Sequence, residues 1–190
     1  MPDDRKCDII IAGVGGQGVL LCSDILGEAS IIEGLPVRGA EVHGMSQRGG
    51  SVEAHARIGC VYGPRIPAGK ADILIAMEPL EGARFSHYLK NDGFAAVNTS
   101  PIPLLGKSYD VDRMIEILEK RTANIVPGNF SALAEKTGSI KVLNILMLGI
   151  ASVHIPLAKE SFVSAIKKSV KEKFLGMNLE ALNSGIGISA

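Results

Sequence analysis

Residues 7–12 form a short apolar run rich in β-branched side chains, and it runs straight into Gly13, Gly15, Gly16 and Gly18. From Gly18 onward the apolar residues return at helical spacing through Ile31. That order predicts a strand, a tight turn and a helix. Gly13, Gly15 and Gly18 keep the GxGxxG spacing, in which the glycines serve a turn with positive φ, a backbone bare enough for a ligand to approach, and close packing of helix on strand. The helix start points unpaired N–H groups and the positive end of its dipole at whatever lies above the turn, and an anion fits there. The same spacing also serves a β-to-α turn that binds nothing. A dinucleotide site further requires an Asp or Glu at the end of a second strand about 20 residues on. The nearby acids are Glu33, expected still on the helix, and Glu41, which follows the broken stretch GLPVRGA at 34–40. Neither sits cleanly at a strand end, which counts against NAD or FAD.

A chain of 190 residues is long enough for one substantial core, and we expect residues 1–190 to form a single domain. Apolar residues make up 46% and aromatic ones only 4%, with no Trp, so packing must come mainly from aliphatic side chains of an α/β sandwich. Lys and Arg together number 20, as do Asp and Glu; a formal charge of zero argues against a broad nucleic-acid or membrane surface. Cys7, Cys22 and Cys60 are too few and too far apart for an iron-sulfur cluster or a structural zinc, and they read as small buried apolar groups in a reducing compartment. The apolar run at the amino terminus is too short for a signal peptide, and the most apolar stretch, 142–153, falls short of the ~20 residues that span a bilayer. We therefore expect a cytoplasmic protein.

Residues 41–50, EVHGMSQRGG, form a polar stretch with three glycines that is expected to be a loop. Residues 51–58 alternate: Val52, Ala54, Ala56 and Ile58 on one face, Ser51, Glu53, His55 and Arg57 on the other, which predicts a strand with one wet or interface-facing side. Residues 71–77 read as a strand buried on both faces, followed by a helix from Glu78-Pro79 to about Lys90 and a second buried strand at 94–97 that delivers Asn98, Thr99 and Ser100 at its carboxyl end. Loops at strand carboxyl ends are where open α/β sheets bind ligands. An amphipathic helix at 110–121, a short strand at 124–126 and a helical piece at 131–136 come next. Residues 140–153 are apolar nearly all round and must be buried against the sheet or a partner chain. Asn144 lies inside that run, and because an unpaired buried amide costs about 1–3 kcal/mol it should have a partner. Residues 157–174 carry Phe162, Ile166, Val170 and Phe174 one per turn and predict a closing helix. His43 and His55 flank the polar loop as candidate acid-base groups, whereas His87 and His154 look structural. Glycine-rich loops that bind, with no evident reacting constellation, point to a subunit of a larger catalyst.

Three stretches, GVGGQG at 13–18, EVHGMSQRGGSV at 41–52, and Asn144 with Leu148-Gly149, together resemble the gamma-type component of 2-oxoacid:ferredoxin oxidoreductases, over residues 8–182. Within that family the HGMSQRGG form is similar to the indolepyruvate-oxidising branch. The resemblance implies a three-layer α/β sandwich with a largely parallel sheet and a helical carboxyl-terminal part. It implies a large partner subunit carrying thiamine diphosphate and 4Fe-4S clusters, none of them held by this chain alone, and a complex that converts arylpyruvates and coenzyme A to aryl-acetyl-CoA and carbon dioxide while reducing ferredoxin. It implies no activity for this chain by itself. The residues it marks as cofactor-binding are Gly13, Gly15, Gly16, Gln17, Gly18, His43, Gln47, Arg48, Gly49 and Gly50. Whether they meet coenzyme A, thiamine diphosphate or only the partner subunit stays open, as do a stand-alone dinucleotide-binding reductase and a purely architectural subunit.

Overall fold

A computed structural model describes residues 5–44, 49–59, 62–103 and 108–189. The strands are β1 (Cys7–Val14), β2 (Val37–His43), β3 (Ser51–Ile58), β4 (Ala71–Ala76), β5 (Leu89–Asn98) and β6 (Asn124–Gly128). The helices are α1 (Val19–Ile32), α2 (Pro79–Phe85), α3 (Val111–Glu119), α4 (Phe130–Lys136), α5 (Leu143–Ser152), α6 (Lys159–Ser169) and α7 (Glu172–Ser189), with single 3-10 turns at Ser86–Tyr88 and Ile140–Val142. The sheet order is β2-β3-β1-β4-β5-β6. β1, β4, β5 and β6 run parallel, while β3 pairs antiparallel with both β1 and β2. Helices cover both faces, giving the expected three-layer sandwich.

The central strands are buried on both faces, as their unbroken apolar runs require: Ile9, Ile11, Ile73 and Ile75 pack under α1 and α5, and Ile10, Leu74 and Val97 pack on the opposite side with Leu118 of α3. Every residue of α5 is buried within this chain. Among the described residues, no helix is long and apolar enough to cross a membrane.

Four sequence expectations need correction. Glu41, Val42 and His43 are not loop but the end of β2, an edge strand whose Gly39 and preceding Gly34-Leu35-Pro36 hide its pattern. The second face of β3 is not wet: Glu53 is 6% and His55 0% exposed. His55 Nδ1 accepts the Ile66 N–H at 3.1 Å, which leaves the proton on Nε2, 3.4 Å from Glu53, and the ring packs T-shaped with that of Tyr88. Burial lowers the His55 pKa despite the opposing pull of Glu53. The helix after Pro79 ends at Phe85, and the Asn91-Asp92-Gly93 segment bulges within β5, where the register jumps from Ala71↔Leu89 to Ile73↔Phe94. The closing helix is two: Val170 is extended (φ −111°, ψ 137°) and breaks the chain into α6 and α7 although the apolar spacing runs through it.

Candidate functional site

The glycine turn lies at the carboxyl end of β1. A Cβ on Gly13 would stand 2.8 Å from Gln17 Oε1 and 3.2 Å from Met77 Cβ, so a bare backbone is needed where the turn folds back on β4. Gly16 (φ 105°) and Gly18 (φ 79°) are left-handed, and Gly18 is the N-cap of α1 with no side-chain cap. Gly18 thus offers the first-turn amides of α1 no side-chain acceptor, and at a helix start such amides point out past the turn. No acidic residue occupies that first turn.

Gln17 braces the turn from the floor of the site. Its Oε1 accepts the Val14 N–H at 2.8 Å and its Nε2 donates to the Met77 carbonyl at 2.9 Å, tying both sides of the turn to the end of β4. Asn98, fully buried at the end of β5, donates to the same Met77 carbonyl at 3.0 Å and accepts from the amides of Phe130 and Ser131 at the start of α4. Asn144 finds its expected partner 126 residues away: its Nδ2 donates to the Gly18 carbonyl at 3.2 Å. One amide network thus locks three strand ends and three helix starts together.

Above that network is a cleft of about 550 Å³ lined by Gly16, Gln17, Gly18, Leu21, Ser100, Ile102, Ser131, Glu135, Ile140, Lys141, Leu143 and Asn144. Its lining combines the start of α1, the hydroxyls of Ser100 and Ser131, the exposed Lys141 and Glu135, and four aliphatic side chains. Such a cleft can take a ligand with an anionic head and a less polar arm. Sequence reasoning missed Lys141, Ser131 and Ile140, which carry no motif of their own. A cleft of about 510 Å³ at the opposite end of the sheet is lined by Asp72, Lys90, Asp92 and His154, but its Lys90 and Asp72 are paired with each other and His154 stacks on Phe94 at 3.8 Å.

The second motif meets the first. Gly50 accepts the Gly15 N–H at 2.8 Å, and Gly44 N–H donates to Ser51, so Gly50, just before β3, is held against the glycine turn. Gly49 is left-handed at φ 73°. Of the candidate residues, Gly13, Gly15, Gly16, Gln17, Gly18, Gly49 and Gly50 are brought together; the backbone of His43 ends β2, and its side chain, with Gln47 and Arg48, lies outside the described residues. Glu33 closes α1 and bonds Arg5 and the Ala158 N–H, and Glu41 is exposed on β2, so neither is placed to grip a ribose at the cleft. Among the described residues, no group of three or more His, Cys, Asp or Glu is placed to hold a metal ion. Cys7 and Cys22 are buried free thiols, pushed up to about 12 by desolvation.

Residues 8–188 match the pyruvate ferredoxin/flavodoxin oxidoreductase family. The chain is 40% identical over 188 residues to the indolepyruvate oxidoreductase subunit IorB of Archaeoglobus fulgidus, covering 95% of this chain and 94% of that one. It is 37% identical over 191 residues to the subunit of the same name from Methanothermobacter thermautotrophicus, covering 96% and 97%. Among solved structures, the keto/oxoacid ferredoxin oxidoreductase gamma subunit from Geobacter sulfurreducens shares the fold at a TM-score of 0.73 and 24% identity, over 96% of this chain and 98% of that one. The glycine turn, the Gly50 contact with it and this end-to-end similarity agree: the chain belongs to the pyruvate ferredoxin/flavodoxin oxidoreductase family.

Proposed function

We propose that this chain is the small, cluster-free subunit of a cytoplasmic complex that oxidatively decarboxylates arylpyruvates, indolepyruvate among them, with coenzyme A and ferredoxin. The end-to-end similarity to indolepyruvate oxidoreductase subunits carries the reading. Decarboxylation and electron transfer belong to thiamine diphosphate and iron-sulfur clusters on a larger partner subunit. The described residues of this chain offer no cluster of ligands for such a metal centre, whereas the helix start and Lys141 in the cleft over Gly16–Gly18 support an anionic ligand such as a diphosphate-bearing thiol ester or thiol. In this reading the amides at the start of α1 and the Lys141 ammonium bind the diphosphate of coenzyme A, Ser100 and Ser131 offer hydroxyls to it, and the aliphatic wall excludes water along the arm. Gly50, which is joined to Gly15, marks the edge that in this reading meets the partner subunit.

The assembled complex tests the ligand. Lys141→Glu replaces an attraction by a repulsion, and a charge-assisted contact of about 1.5–3 kcal/mol corresponds to a rise in the KM for coenzyme A of roughly tenfold or more. Steady-state kinetics with coenzyme A varied at saturating 2-oxoacid reads it. An unchanged KM in an intact complex would show that the ligand does not occupy this cleft.

A further inference from the structure

Glu78 follows β4 directly and is 1% exposed. A carboxylate so dry needs donors on both oxygens. Its Oε2 accepts the Glu81 N–H at 2.9 Å, capping α2, while its Oε1 accepts the Ile102 N–H at 3.3 Å and the hydroxyl of Tyr109. Ile102 lines the cleft together with Ser100. Tyr109 immediately precedes Asp110, the N-cap of α3. One buried carboxylate therefore holds the connection from β5 to α3 at two points, and the first of these is the wall that faces the glycine turn. Its neighbour Glu81, 2% exposed, receives the hydroxyl of Ser51, the first residue of β3 after the motif loop. Burial raises the Glu78 pKa, against the pull of the Glu81 and Ile102 amides and with the push of the Glu81 carboxylate.

We propose that Glu78 is a positioning residue of the coenzyme A cleft, which sets the Ser100–Ile102 wall against Gly16–Gly18 by accepting hydrogen bonds from Ile102 and Tyr109 at once. The proposal rests on the reading that coenzyme A occupies that cleft. An isosteric amide cannot replace the carboxylate: it has one acceptor oxygen and one NH2, and whichever way it faces, a donor meets a donor at Glu81 or at Ile102. Tyr109→Phe removes one donor and leaves the cap intact.

The test uses the complex assembled with its large subunit. Amide hydrogen exchange of the 99–103 segment is measured beside the kinetics for Glu78→Gln, Tyr109→Phe and Lys141→Glu. In Glu78→Gln the Ile102 amide should exchange about tenfold faster, and the KM for coenzyme A should rise about three- to tenfold with kcat and the KM for the 2-oxoacid unchanged, the scale of one lost hydrogen bond. Tyr109→Phe should raise the same KM about threefold, and it carries the test if Glu78→Gln does not assemble. If Lys141→Glu raises the KM while Glu78→Gln and Tyr109→Phe do not, Glu78 is not a positioning residue and the cleft reading stands. A raised KM with unchanged Ile102 exchange, or faster exchange with an unchanged KM, equally overturns the proposal. An unchanged KM in all three variants overturns the cleft as the coenzyme A site, and the role of Glu78 with it.

Discussion

Gly185→Ala should cost about 3 kcal/mol or more of stability, although alanine is the better helix former by about 1 kcal/mol. α5 and α7 cross with backbone against backbone. A Cβ on Gly185 would stand 2.1 Å from the Leu146 carbonyl oxygen, 2.8 Å from the Ile150 nitrogen and 2.9 Å from Gly149 Cα, and one on Gly149 would stand 2.4 Å from the Leu182 oxygen. Overpacking typically costs about 1–3 kcal/mol when side chains can yield. Here the obstacles are main-chain atoms, so the two helices must part, and α5 is buried on every face. Gly176→Ala, on the same helix with nothing within 4 Å of the new Cβ, should be neutral or stabilising by up to about 1 kcal/mol. Urea unfolding followed by circular dichroism compares the two. A Gly185→Ala protein as stable as the wild type would mean that the helices do not meet as described.

Gly18→Ala should damage the cleft and the fold together. The residue is left-handed at φ 79°, a conformation that costs a side-chain-bearing residue about 1–2 kcal/mol. Its Cβ would also stand 2.5 Å from Asn144 Nδ2, the group that holds the Gly18 carbonyl, so the substitution displaces that hydrogen bond, worth about 1 kcal/mol. A total loss of about 2–3 kcal/mol follows, with the KM for coenzyme A raised more than about tenfold because the amides of α1 no longer point at the cleft. Gly16→Ala meets strain at φ 105° but nothing within 4 Å, and separates conformation from contact. A double variant, Gly18→Ala with Asn144→Ala, should be destabilised by less than the sum of the single variants, since the clash is gone. Strict additivity would show that Asn144 does not press on Gly18.

Local pattern carried much of this fold. The strand, glycine turn and helix of β1 and α1 were legible because each glycine has a local job, and the apolar runs of β4, β5 and α5 left no other place than the core. β2 was not legible: VRGAEVH is an edge strand without alternation, placed only by its pairing with β3. The polar alternation of β3 gave the correct strand and the wrong environment. Ser51 and His55 are satisfied by Glu81 and Ile66, and such partners leave no trace in a period of two. α6 and α7 read as one helix because Phe162, Ile166, Val170 and Phe174 keep helical spacing across a backbone break. Within the cleft, the glycine turn and the loop at the end of β5 were marked by the sequence. Ser131, Ile140 and Lys141 were not, since their place depends on how α4 and α5 pack over the ends of β1 and β5.

The proposed division of labour between this chain and a larger subunit is measured most directly by reconstitution. Purified small subunit, purified large subunit and an equimolar mixture of the two are each supplied with indolepyruvate, coenzyme A and oxidised ferredoxin, and ferredoxin reduction is followed together with acyl-CoA formation. The account predicts no turnover by the small subunit, and turnover with stoichiometric acyl-CoA in the mixture that Gly18→Ala in the small subunit strongly impairs. Ferredoxin reduction by the small subunit alone, or an equal rate from the large subunit without it, would contradict the account.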